Sequence, residues 1–180
     1  GSILVQASML NVVDTTFERD FAPRGGSIGL QSDITSAGVV RPAIGYLTDS
    51  HFRDSTATKL GGCIYPMNSD LHVTRSTFVR CRQTEYTETN GGGAIIAVCG
   101  VVWPIAPCNI FVADSYFEAC EAAGSGGALY TVDFSQVDEN FAAMYLTRTI
   151  IKDCVAAFIG GGACLWKGRN ELYNSVFEGC

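Results

Sequence analysis

An all-β solenoid, a parallel β-helix of about six coils with loop insertions over residues 1–180, is the fold class that the sequence predicts. Three observations predict it. A Gly-small-apolar block and a Ser/Thr-x-Phe block alternate six times along the chain. Like residues recur at fixed offsets within the repeats. Strand-like alternation is broken at fixed points by two successive outward residues. Repetition of this kind lowers the odds of one compact active site, because a solenoid stacks similar units.

The opening blocks are Gly1-Ser2-Ile3, Gly26-Ser27-Ile28, Gly62-Cys63-Ile64, Gly93-Ala94-Ile95, Gly127-Ala128-Leu129 and Gly162-Ala163-Cys164. The closing blocks centre on Phe17, Phe52, Phe78, Phe117, Ile151 and Phe177. Two residues before these stand Thr15, Ser50, Ser76, Ser115, Thr149 and Ser175, all hydroxyl residues. Five before stand Val12, Leu47, Val73, Val112, Leu146 and Leu172, all aliphatic. Three before stand Asp14, Asp49, Arg75, Asp114, Arg148 and Asn174, and three after stand Asp20, Ser55, Cys81, Cys120, Cys154 and Cys180.

The hydroxyl residue and the Phe are two apart and share a face, whereas the aliphatic residue has the opposite parity. Both point inward only if the chain bends at the Asp/Arg position. A second bend is expected after the Phe, at pairs such as Arg53-Asp54 and Lys152-Asp153. With the opening strand, whose inward residues are Ile28 and Leu30 or Ile95 and Ala97, this makes three short strands per coil. Stacking turns each set of equivalent residues into a ladder at about 4.8 Å, burying a core that no repeat buries alone. The hydroxyls would bond along the stack or to corner backbone. The mixed-sign column, with Arg75 between Asp49 and Asp114, reads as a solvated charge ladder.

Opening glycines at 1, 26, 62, 93, 127 and 162 are 25, 36, 31, 34 and 35 residues apart. A minimal coil needs about twenty-odd residues, so the surplus forms surface loops. The longest insert surrounds Trp103-Pro104. Gly61-Gly62, Gly92-Gly93 and Gly126-Gly127 suit a tight turn of positive φ and close approach between coils.

Hydrophobic residues make up 47% and charged residues 17%, which excludes a disordered chain. A net charge of -6 argues against nucleic acid and anionic lipid as partners. No apolar run of about 18 residues marks a membrane span. Eight Cys fit an oxidising compartment. No Asn-x-Ser/Thr sequon is present, and the plentiful Ser and Thr leave O-linked sugars open.

Gly92-Gly93-Ala94-Ile95, Gly126-Gly127-Ala128-Leu129 and Gly161-Gly162-Ala163, alternating with Phe78-Val79-Arg80-Cys81, Phe117-Glu118-Ala119-Cys120 and Phe177-Glu178-Gly179-Cys180, resemble the repeats of chlamydial polymorphic outer-membrane proteins and related protist surface proteins. The family alternates Gly-Gly-Ala-Ile with Phe-x-x-Asn, and this chain carries Cys in place of the Asn. The resemblance implies a right-handed parallel β-helix and an extracellular passenger or adhesive surface. It implies no catalytic residues.

Cys81, Cys120, Cys154 and Cys180 are expected to stack on adjacent coils, either as small buried hydrophobes or as inter-coil disulfides. A metal site fits worst, since no His joins the column and a line of ligands is a poor tetrahedron. Cys99 and Cys108 flank the Trp-Pro insert and are expected to bond, contributing about 2–3 kcal/mol. Cys63 and Cys164 read as packing residues. No Asp-Asp pair or Gly-His-Gly is present, and His51 and His72 read as ordinary surface residues, so no catalytic residue, metal or cofactor is assigned. Three or more carboxylates beside an Arg in one groove would mark a carbohydrate-active enzyme. Tyr65, Tyr130, Trp103 and Trp166 are the candidates for surface binding. Tyr65, Ile96 and Tyr130 share an outward column, which either contacts a partner or glycan or lies under a loop.

The chain starts at an opening Gly and stops three residues after Phe177, within a coil. This fits an excerpt of a longer solenoid or subunits that stack end to end. The expected function is an extracellular or cell-surface structural scaffold, filament-forming through self-association, with loops for adhesion or glycan attachment. A carbohydrate-active enzyme or carbohydrate-binding module of the β-helix class is the alternative, and a receptor-binding adhesin a third.

Overall fold

The computed structural model describes residues 3–86, 90–100, 108–134 and 142–180. Its strands form a parallel β-helix of six coils. The first sheet stacks Ile3–Gln6, Ile28–Gln31, Ile64–Met67, Ile95–Cys99, Leu129–Asp133 and Ala163–Trp166. The second stacks Met9–Val13, Ile44–Thr48, Asp70–Thr74, Cys108–Ala113, Ala142–Thr147 and Arg169–Tyr173. The third stacks Thr16–Glu18, His51–Arg53, Thr77–Val79, Tyr116–Glu118, Ile150–Lys152 and Val176–Glu178.

A fourth sheet was not expected. It stacks Phe21–Arg24, Thr56–Leu60, Arg82–Gln83, Glu121–Ala122 and Val155–Ala156. These strands are mostly two to five residues long and are aligned on Ala22, Ala57, Gln83, Ala122 and Ala156. Such short strands, with alanine on the aligned position, leave no readable alternation. Gln83 breaks the alanine column but is buried and satisfied. Its amide donates to Thr58 O and Glu85 O at 3.2 and 2.6 Å, and its carbonyl accepts from Gly124 N at 3.3 Å.

The expected Phe and aliphatic ladders are in register through all six coils. Phe17, Phe52, Phe78, Phe117, Ile151 and Phe177 pair in sequence. So do Val12, Leu47, Val73, Val112, Leu146 and Leu172. The first four Phe rings stack with centroids 4.8, 4.7 and 4.6 Å apart and planes within 5°. The rise between coils therefore sets the ring spacing.

The corners explain the polar columns. Asp14, Asp49, Arg75, Asp114, Arg148 and Asn174 all have φ between 46° and 51°. The second bend falls on Arg19, Asp54, Arg80, Ala119, Asp153 and Gly179, again with positive φ. Left-handed backbone costs a non-glycine residue about 1–2 kcal/mol, least for Asp and Asn. The residue after each first bend offsets this cost. Ser50, Ser76 and Ser115 donate to the carbonyl two residues back at 2.8–2.9 Å. They also accept the backbone N–H of the preceding coil: Thr15 to Ser50 at 3.4 Å, Ser50 to Ser76 at 3.1 Å and Ser76 to Ser115 at 3.2 Å. Both bonds expected of the hydroxyl column are thus made by the same atoms.

The Gly pairs divide two tasks. Gly25, Gly61, Gly92 and Gly126 take positive φ, while a Cβ on Gly62 or Gly93 would overlap the carbonyl oxygen of Gly93 or Gly127 in the next coil. In the last coil the left-handed glycine is Gly160, and Leu129 pairs with Ala163. That coil therefore opens one residue earlier than the Gly162 register, because three successive glycines do not specify which one turns. Part of the surplus between Gly26 and Gly62 is a small antiparallel hairpin, Asp33–Ile34 against Val40–Arg41.

Candidate functional site

Charged corner residues are tied to one another. Arg75 grips Asp49 through two bonds of 2.8 Å, Arg148 grips Asp114 at 2.6 and 2.7 Å, and Arg80 grips Asp54 at 2.6 and 2.9 Å. The guanidinium partner holds each of these three carboxyls below the usual carboxylate range. Each pair joins one coil to the next.

Cysteines divide into bonded and free. Cys99–Cys108 forms as expected, with Cα atoms 5.9 Å apart. Cys81 does not bond within its column. It bonds across its own coil to Cys63, with Cα atoms 5.7 Å apart, so Cys63 is not a plain packing residue. The equivalent pair one coil earlier is Ser27 and Ser55, whose hydroxyls meet at 3.1 Å. Cys120, Cys154 and Cys180 are free thiols. They act as serine does at the first bend: Cys120, Cys154 and Cys180 each approach the carbonyl two residues back at 3.5, 3.2 and 3.4 Å. Cys154 Sγ also accepts the Cys120 N–H at 3.4 Å. Burial pushes the Cys120 thiol up and keeps it protonated.

The aromatic candidates separate. Tyr65 and Tyr130 are only 7% and 1% exposed, so their column is not an exposed stripe. With Ile96, Val98 and Val132 they form a second apolar cluster on the outer face of the first sheet. The glycine corners fold back over it: a Cβ would stand 3.1 Å from Tyr65 Cβ at Gly25, 3.1 Å from Ile96 Cγ2 at Gly61 and 2.8 Å from Tyr130 Cβ at Gly126. Trp103 lies outside the described residues. Trp166 is 49% exposed and meets Tyr130 in a groove of about 350 Å³, walled also by Phe158 and Ile159 and touched by Ser125, Cys164, Leu165 and Lys167. Burial pushes the Tyr130 hydroxyl up to about 12 and raises the Cys164 thiol, so both stay neutral at neutral pH.

Two further surfaces were not read from the sequence. On the outer face of the second sheet Tyr46, His72, Phe111 and Tyr145 stack at 4.8, 4.6 and 4.8 Å. Burial in this stack lowers the His72 pKa. The rings cover one another's faces, so the stripe is an edge-on ladder and offers no flat platform. On the third sheet a cleft of about 410 Å³ gathers Glu18, His51, Arg53 and Thr77, with His51 Nδ1 2.8 Å from Thr77 Oγ1. Glu18 is the one carboxylate among its lining residues.

Among the described residues no group of three His, Cys, Asp or Glu is placed to hold a metal ion, and no helix is long and apolar enough to cross a membrane. Compared with family models, curated proteins and solved structures, the chain has no match.

Proposed function

We propose that the chain is a structural scaffold of an extracellular or cell-surface assembly, which associates end to end through its open coils. One observation carries this reading: four sets of repeating side chains are used along the stack. Phe rings, aliphatic residues, corner hydroxyls and Asp–Arg pairs each join one coil to the next. Such ladders make a rod and do not converge on a reacting centre.

Phe177 is 40% exposed, with Leu172 and Val176 exposed beside it, and at the opposite side Met9, Val13 and Phe21 are exposed. End-to-end association would set Phe177 against the first coil of a further chain, where Met9, Val13 and Phe21 are exposed while Phe17 and Val12 are 7% and 6% exposed. A heterologous contact of this kind does not close and propagates as a fibre. Two disulfides support an oxidising location. The Gly-Gly-Ala-Ile resemblance to bacterial and protist surface proteins supports it too. Loops leaving the corners are the places for adhesion or O-linked glycan.

Sedimentation velocity tests the proposal. A series of species that lengthens with concentration is expected, and Val176→Lys with Leu172→Lys should reduce it to one species. A single species at all concentrations for the unaltered chain contradicts it.

A further inference from the structure

The groove beside Trp166 is not explained by the scaffold. Its volume of about 350 Å³ falls in the range of small-molecule sites, about 300–1,000 Å³. Its walls are aromatic and aliphatic: Tyr130, Trp166, Phe158 and Ile159. Trp166, Phe158 and Ile159 keep about half of their surface in contact with solvent, 49%, 48% and 52%, although they stand together. Apolar surface held open in a concavity gains most by burial against a ligand.

A second, independent observation points the same way. Ser125 touches the groove and is 1% exposed, yet its Oγ has no hydrogen-bond partner among the described residues. A buried hydroxyl left unpaired is unfavourable and is normally satisfied by a partner or a ligand. Ser32 Oγ and Thr131 Oγ1 are likewise buried without a partner among the described residues, but of the three hydroxyls only Ser125 lines the groove.

We infer that this groove is a binding site for a small planar aromatic molecule carrying one hydroxyl, which inserts against Trp166 and Tyr130 and bonds Ser125 Oγ. A saccharide fits poorly, because its many hydroxyls would be desolvated against walls that offer few partners. Tyr130 and Cys164 are neutral in the groove, and Lys167 touches it as well.

Cys164 also supplies the test. It is partly exposed in the groove, while Cys180 is exposed and does not line it. The full chain is titrated with 2-naphthol by calorimetry, and alkylation of both thiols by iodoacetamide is followed by mass spectrometry. Saturable one-to-one binding in the sub-millimolar range is expected for a ligand of about eleven heavy atoms. Saturation should slow Cys164 alkylation and leave Cys180 unchanged. Trp166→Ala should weaken binding about tenfold. Ser125→Ala should weaken it about five- to tenfold without lowering the melting temperature, since it removes an unpaired group. Non-saturable binding, equal protection of both thiols, or unchanged affinity in Ser125→Ala would overturn the inference.

Discussion

Phe117→Ala probes the ladder where it is most enclosed. The Phe117 ring is fully buried, stacks 4.6 Å from Phe78 with planes 5° apart, and pairs with Ile151 on the other side. Truncation removes the transfer free energy of the ring and leaves a cavity, together about 3–5 kcal/mol. About 0.5–1.5 kcal/mol of that belongs to the stacked geometry itself. Neighbouring strands cannot collapse into the gap, because their spacing is fixed by the backbone ladders above and below. Phe177 has the same place in the outermost coil but is 40% exposed, so Phe177→Ala should cost less than half as much. Urea unfolding followed by far-ultraviolet circular dichroism gives both values, with hydrogen exchange locating any partial opening that a repeat protein permits. A loss below about 1 kcal/mol for Phe117→Ala, or equal losses for the two variants, would refute the reasoning.

Three other outcomes are expected. Ser115→Ala removes both a 2.8 Å bond to Ala113 O and the acceptor for Ser76 N–H, and should cost about 1–2 kcal/mol in the same urea experiment. Replacing Cys63 and Cys81 together by Ser recreates the Ser27–Ser55 pair; it should preserve the circular dichroism spectrum and lose about 3 kcal/mol, whereas an unchanged stability would mean that the bond does not form in solution. Asp49, Asp54 and Asp114 have folded pKa values below their unfolded ones, so they stabilise the fold above the unfolded carboxylate range and lose that contribution as pH falls through the folded values. Thermal melts from pH 6 to pH 2 should therefore show a decline in the acid range, about pH 4 and below, that is shallower in the triple Asp→Asn variant.

The ladders were legible because Phe, aliphatic, hydroxyl and charged residues recur at fixed offsets, and each offset was sampled six times. The bends were legible because opposite parities at Val112 and Phe117 cannot both face inward on a straight strand. Short strands such as Arg82–Gln83 carry no period, so the fourth sheet was invisible. Cys63 and Cys81 belong to different columns, and their meeting depends on how a coil closes across its interior. Tyr65 and Tyr130 have outward parity and are nevertheless buried, because glycine corners fold over them; parity reports the face, and cover depends on loops. The groove joins Tyr130 and Trp166 from adjacent coils with Phe158 and Ile159 from the connection between them, a convergence that no single repeat encodes.

The end-to-end scaffold is tested most directly by electron microscopy of the concentrated protein. Filaments with an axial repeat of about 29 Å, six coils at about 4.8 Å each, are predicted. Isolated particles one chain long under conditions that keep the disulfides intact would contradict it.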